Sequence, residues 1–238
     1  MKRMQIGELE IEVVKKDIKN IHLAVYPPKG KVRIAVPKDV NEKTIRLYAI
    51  SKLGWINKNR RKFAKQDRQS NREFVDRESH YLFGRKYLLK IVESNKPQGV
   101  SIKGKTIIEL SVKPGTDREQ RQRVLEDFYR EELKKHITDL LDKWQEKTSI
   151  QVKHYGVKKM KTKWGTCNQE ARRIWLNLEL AKKPLGCIEY ILVHEMIHIK
   201  ERLHNDRFHA LMSQFMPRWK SLKDELNRLP VSHMDWGY

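Results

Sequence analysis

The sequence predicts an α+β protein, in which a strand-rich N-terminal region is followed by a more helical C-terminal region. Three observations carry this expectation. Apolar residues alternate singly from Leu9 to Val36, β-branched alternation returns between Tyr81 and Val112, and apolar residues recur at three- and four-residue spacing after Thr116. A chain of 238 residues is one large domain or two modest ones and buries a core without disulfide support. Pro114 to Thr116 is the expected boundary, giving a strand-rich domain with one helix over 1–115 and a second domain over 116–238.

The elements follow in order. Leu9, Ile11 and Val13, then Ile21, Leu23 and Val25, then Val32, Ile34 and Val36 show the period of half-buried strands, and Pro27-Pro28-Lys29-Gly30 supplies a turn between the second and third runs. Glu42 to Lys65 is expected to be helical around Ile45, Tyr48, Ala49, Leu53 and Ile56. Gln66 to Ser79, polar and without period, reads as a surface connection. Tyr81 to Val92 and Val100 to Val112 read as strands, with Gly104 breaking the second run and Pro114-Gly115 ending it.

Thr116 with Glu119 forms a capping box at the start of a long helix, whose broad apolar face carries Val124, Phe128, Leu133, Ile137, Leu140, Leu141 and Trp144. Ile150 to Val157 and Ile174 to Leu180 read as short strands, and Pro184-Leu185-Gly186 opens another helix. No internal repeat or low-complexity tract is evident.

Composition excludes several classes of function. With 39% hydrophobic and 34% charged residues, and apolar runs of only a few residues, the chain is not an integral membrane protein. Met1-Lys2-Arg3 has the charge of an export signal without the apolar stretch that should follow, and the two cysteines, Cys167 and Cys187, suit a reducing compartment. A cytoplasmic location is expected. The 51 basic against 30 acidic side chains leave a net charge of +21, which makes polyanions, nucleic acid above all, plausible partners by electrostatics alone. Basic residues are dense from Lys58 to Arg68 and from Lys153 to Lys183, but no zinc-finger or RNP-type signature accompanies them.

The chemistry concentrates at His194-Glu195-Met196-Ile197-His198, an H-E-x-x-H motif. On a helix, imidazoles four residues apart project to one side and can converge on one ion. Glu195 lies about 100° round the helix from His194, beside the site without having to ligate, where it can take a proton from a metal-activated water. Leu192, Met196, Ile199 and Leu203, widened by Ile188 and Val193, supply an apolar face opposite the histidines, so core packing does not account for the pair.

A catalytic zinc site has three protein ligands and one position for water, so a third ligand is required. His204 is the choice, provided that Leu203 to Asp206 bends the chain and that Asn205 or Asp206 caps a new helix near Arg207. Glu201, Asp206, His209, His154 and His233 are the alternatives. The interval from His194 to His204 matches the metzincin pattern, but Glu201 stands where that pattern has glycine and no Met-turn is recognisable. Tyr190, His154, Tyr155 and Arg207 are candidates to stabilise an oxyanion. Trp164 and Cys167 read as packing residues, with a ligand or redox role for Cys167 ranked below that. Imidazole also accepts iron, nickel and copper, so one Zn2+ ion is an expectation from ligand type.

Taken together, Lys163-Trp164-Gly165-Thr166-Cys167, Ile174 to Leu180 with Asn177, Pro184, Tyr190, the H-E-x-x-H motif and His204-Asn205-Asp206-Arg207-Phe208 resemble the YgjP-like metallopeptidase family, relatives of the SprT-like zincins. The likeness spans essentially the whole chain. Lys163 and Thr166 stand where the family usually has Arg and Ser, and Met196 where it has Leu; Lys163 cannot reproduce the forked bonding of Arg. The resemblance implies a zincin-like catalytic domain built on the H-E-x-x-H helix, with His194, His198 and His204 as metal ligands and Glu195 as catalytic acid/base. The function expected is zinc-dependent hydrolysis of peptide bonds in a protein or peptide substrate, most simply as an endopeptidase. The alternative is a basic nucleic-acid-associated protein, including a protease acting on DNA-bound proteins, as SprT-like relatives suggest. A metal-stabilised interaction module is a third possibility, and Glu195 argues against it, since a structural site needs no proton acceptor.

Overall fold

Single alternation in the first segment builds a four-stranded sheet. In the computed structural model, which describes residues 2–26, 30–65, 72–160 and 163–230 (the side chains of Lys62 and Lys65 excepted), the strands are β1 (Lys2–Ile6), β2 (Leu9–Lys16), β3 (His22–Tyr26) and β4 (Lys31–Pro37). They lie in the order β1-β2-β4-β3, with β2 and β4 parallel and the outer pairs antiparallel. Ile11, Val13, Val32, Ile34 and Val36 face a core closed by Ile45 and Ala49 of α1 (Glu42–Ser51) and Ile56 of α2 (Leu53–Lys65). One helical stretch was expected here; the structure has two, since the first ends at Lys52, and Asn41 caps its start by accepting from the Thr44 amide. Strand β1 was not anticipated, because its Lys2, Arg3 and Gln5 show little apolar alternation. The expected turn at Pro27 to Lys29 lies outside the described residues.

A second unit, within residues 72–230, holds the rest. Strands β5 (Ser79–Leu82), β6 (Arg85–Glu93), β7 (Gly99–Lys103) and β8 (Ile107–Val112) lie in the order β5-β6-β8-β7, again with the second and fourth parallel. This is the strand order and sense of the first sheet, a repeat of topology that the sequence does not display. Both begin with a two-residue hairpin, Gly7-Glu8 and Phe83-Gly84. Phe83 and Gly84 both take positive φ, the geometry that matches the twist of two-residue hairpins. Part of the expected surface connection, 66–71, is outside the described residues; of the remainder, Phe74 is buried, and the Glu73 and Phe74 amides donate to Glu78.

Helix α3 (Arg118–Thr148) is capped by Asp117, whose carboxylate accepts from the Gln120 amide, and not by Thr116, whose hydroxyl instead donates to the Lys113 carbonyl. Its buried line is Leu125, Tyr129, Leu133, Ile137, Leu140, Leu141 and Trp144, so the first two turns are rotated by one residue from the expected Val124 and Phe128. The helix packs on β7 and β8, and its apolar face shares one core with Leu89, Ile108, Leu110 and Val112. The expected boundary at Pro114 to Thr116 therefore falls inside the second unit: β5 to β8 complete the face of α3, and the division between compact units lies before residue 72.

Beyond α3, strands β9 (His154–Lys158), β10 (Gly165–Asn168) and β11 (Arg173–Asn177) form a small sheet in the order β10-β11-β9. A short 3-10 turn, Leu178–Lys182, then leads to α4 (Leu185–Ile197), α5 (Asp206–Phe215) and α6 (Trp219–Arg228). Helix α4 is apolar nearly all round, with Cys187, Ile188, Ile191, Leu192, Val193, Met196 and Ile197 buried, as expected of a helix enclosed by its domain. The opposite-face pattern holds for Leu192 and Met196, but Leu203 is exposed because the helix ends before it.

Candidate metal centre

His194 and His198 stand one turn apart at the end of α4, His198 being its C-terminal cap. The chain then leaves the helix, and Asn205 starts α5 by accepting from the Phe208 amide, the bend that the sequence required. The bend returns His204 to the pair: its Nε2 lies 3.0 Å from His194 Nε2 and 3.1 Å from His198 Nε2. Among the described residues these three side chains form the one cluster able to hold a metal ion.

The donor set fits such an ion. His198 Nδ1 donates to the Glu201 carbonyl at 3.0 Å, which fixes the tautomer and leaves a lone pair on Nε2. Burial and the neighbouring imidazoles push His194 down to about 3, so that ring is neutral, and burial lowers His204 also. The three imidazoles bring ring nitrogens to within 4.8 Å of one another, a donor type that suits a divalent transition-metal ion. Phe208, 1% exposed, supports the cluster, its ring centroid 4.7–4.9 Å from those of all three histidines.

Glu195 sits outside the cluster and is 6% exposed. Burial raises its carboxyl to about 7, against the opposing pull of Lys163. It opens on a cleft of about 740 Å³ lined by residues 163–170 on one side and by Tyr190, His194, Glu195, His198, Arg202 and His204 on the other. Cys167 lines the cleft as a neutral thiol, pushed up to about 11 by burial and by Glu195.

The other candidate ligands lie elsewhere. Glu201 spends its carbonyl on His198 and its carboxylate on the Leu203 amide, Asp206 opens α5, His209 stacks on Trp219 and His154 is exposed on β9. His233 is outside the described residues. Of the four side chains considered for an oxyanion, Tyr190 lines the cleft; Tyr155 bonds to Thr138. Sequence reasoning missed Arg202, since nothing in its local pattern marks it, and did not anticipate strand β10.

A family model for the YgjP-like metallopeptidase domain matches residues 19–229. The chain belongs to the YgjP-like metallopeptidase family. Membership supports a protease role and implies a metal cofactor, for which the His194, His198 and His204 cluster is the candidate site. No curated protein matches the chain. Among solved structures, the crystal structure of the metallopeptidase zymogen of Pyrococcus abyssi abylysin matches 40% of this chain and 99% of its own, at 22% identity and a TM-score of 0.36. The family assignment does not support a nucleic-acid partner, and that reading rests on net charge and on the likeness to SprT-like relatives. No helix among the described residues is long and apolar enough to cross a membrane.

Proposed function

We propose that this YgjP-like protein is a zinc-dependent peptidase in which His194, His198 and His204 hold the ion and Glu195 moves the proton. The observation that supports it best is the approach of His204 Nε2 to His194 Nε2 and His198 Nε2, at 3.0 and 3.1 Å, beside a buried carboxyl group outside the cluster. Zinc supplies Lewis acidity when bound, acidifying water and polarising a carbonyl. Glu195, whose burial favours uptake of a proton, accepts one from the attacking water and returns it to the leaving amine. Tyr190 keeps its phenolic proton, being pushed up to about 12 by burial and by Glu195, and serves as the hydrogen-bond donor for the carbonyl oxygen. The cleft is open along β10, which suits an extended internal segment of a polypeptide and hence endopeptidase cleavage.

The test compares zinc content and cleavage of an unfolded protein substrate in wild type, Glu195→Gln and His204→Ala. Glu195→Gln should keep zinc and lose turnover by about 100- to 10,000-fold, the usual worth of a general base. His204→Ala should lose both. Full proteolysis by Glu195→Gln would overturn the assignment.

A further inference from the structure

We infer that Gly165 is a positioning residue for Glu195, its missing side chain letting the β10 backbone lie directly against the carboxyl group and hold it beside the imidazoles. The inference rests on the proposed role of Glu195. A Cβ built at Gly165 would stand 2.7 Å from both Cγ and Oε1 of Glu195 and 2.9 Å from Cδ, well inside contact distance. Glycine is needed here for space alone, since Gly165 is an ordinary strand residue and does not have the positive φ of the turn glycines.

Neither backbone can retreat. Gly165 is paired with Leu176 across the β10 to β11 ladder. The residues just before it are tied to Asn177, whose backbone amide donates to the Trp164 carbonyl at 2.8 Å and whose side-chain amide donates to the Lys163 carbonyl at 2.8 Å. On the other side, α4 is anchored by Ile188, Leu192 and Met196, all fully buried. Only the Glu195 side chain is free to yield to a methyl group, and it would do so by swinging its carboxyl away from its place. The segment Lys163 to Cys167 thus acts as a wall behind the proposed proton acceptor.

The experiment has two arms. In metal-free protein, thermal midpoints are measured for wild type, Gly165→Ala, Glu195→Ala and the double variant. Gly165→Ala should lower the midpoint when Glu195 is present and leave it unchanged when Glu195 is Ala; an equal drop in both backgrounds overturns the contact. In zinc-loaded protein, Gly165→Ala should keep the wild-type zinc stoichiometry and a KM within about twofold, while kcat falls about 100-fold, the scale expected of a misplacement near 1 Å. A wild-type kcat, or loss of zinc, overturns the positioning role. Zinc-loaded wild type without peptidase activity would sink the proposed function, and the midpoint coupling would still decide whether Gly165 sets the place of Glu195.

Discussion

Asn177→Ala should be among the most destabilising single changes in the second unit. The side chain is 4% exposed and joins three segments: its Nδ2 donates to the carbonyls of Met160 (2.9 Å) and Lys163 (2.8 Å), and its Oδ1 accepts from the amides of Met160 (3.3 Å) and Glu179 (3.2 Å). Lys163 is exposed, so water replaces the bond to its carbonyl. Met160 and Glu179 are buried, leaving two amides and one carbonyl unsatisfied at about 1–3 kcal/mol each. Water entering the vacated space recovers part of this, so the expected loss is about 3–5 kcal/mol. For a unit of this size each kcal/mol lowers Tm by about 2–4 °C, so the midpoint should fall by about 6–20 °C. Scanning calorimetry of metal-free protein reads the shift without reference to activity. Asn177→Asp keeps both acceptor bonds but turns a lone pair toward two carbonyls, so it should not rescue. An Asn177→Ala midpoint within about 2 °C of wild type would refute the accounting.

Two further outcomes are expected. His80 is 3% exposed, and burial holds it down to about 4 despite its bond to Glu78, with Arg72 and Lys182 adding to the depression. The folded state therefore binds fewer protons than the unfolded chain between pH 6.5 and 4, so this contribution is complete above pH 6.5 and is lost as pH falls to about 4. The difference of 6.5 − 4 = 2.5 corresponds to about 3 kcal/mol. Urea midpoints from pH 7 to 4.5 should fall more steeply in wild type than in His80→Gln, and identical slopes would contradict the argument. Phe208→Ala removes the ring that all three histidines touch; it should cost about 3–5 kcal/mol as a large core truncation and weaken zinc about 10- to 100-fold, measured by chelator competition. Unchanged zinc affinity in folded Phe208→Ala would exclude that support.

What the sequence revealed depended on how local the determinant was. The histidine cluster was legible because two of its members lie one helical turn apart, and the third precedes a capping residue, Asn205, that announces the bend. Strands β2 and β4 were legible because each buries one face, so alternation survives in the sequence. Strand β10 was not: its Thr166 and Cys167 are both half-buried, and its place is set by the ladder to β11 and by Asn177 from another segment. The apolar face of α4 was only partly legible, because a helix enclosed on most sides has no single face to read.

The two sheets show why strand order outlasts sequence likeness and why the expected domain boundary misled. β1-β2-β4-β3 and β5-β6-β8-β7 share order, sense and a two-residue opening hairpin, and any set of β-branched or aliphatic residues at alternate positions satisfies that topology. The buried faces differ in what covers them. The first meets the short helices α1 and α2, whereas the second shares its core with α3, a helix of 31 residues that also contributes to the core around α4. Pro114-Gly115 marks a genuine stop in local structure, but a stop in local structure separates domains only where the cores on its two sides are separate. Here Leu110 and Val112 before it and Leu125 and Leu133 after it belong to one core, so the second sheet is part of the framework that holds the helix bearing His194, Glu195 and His198.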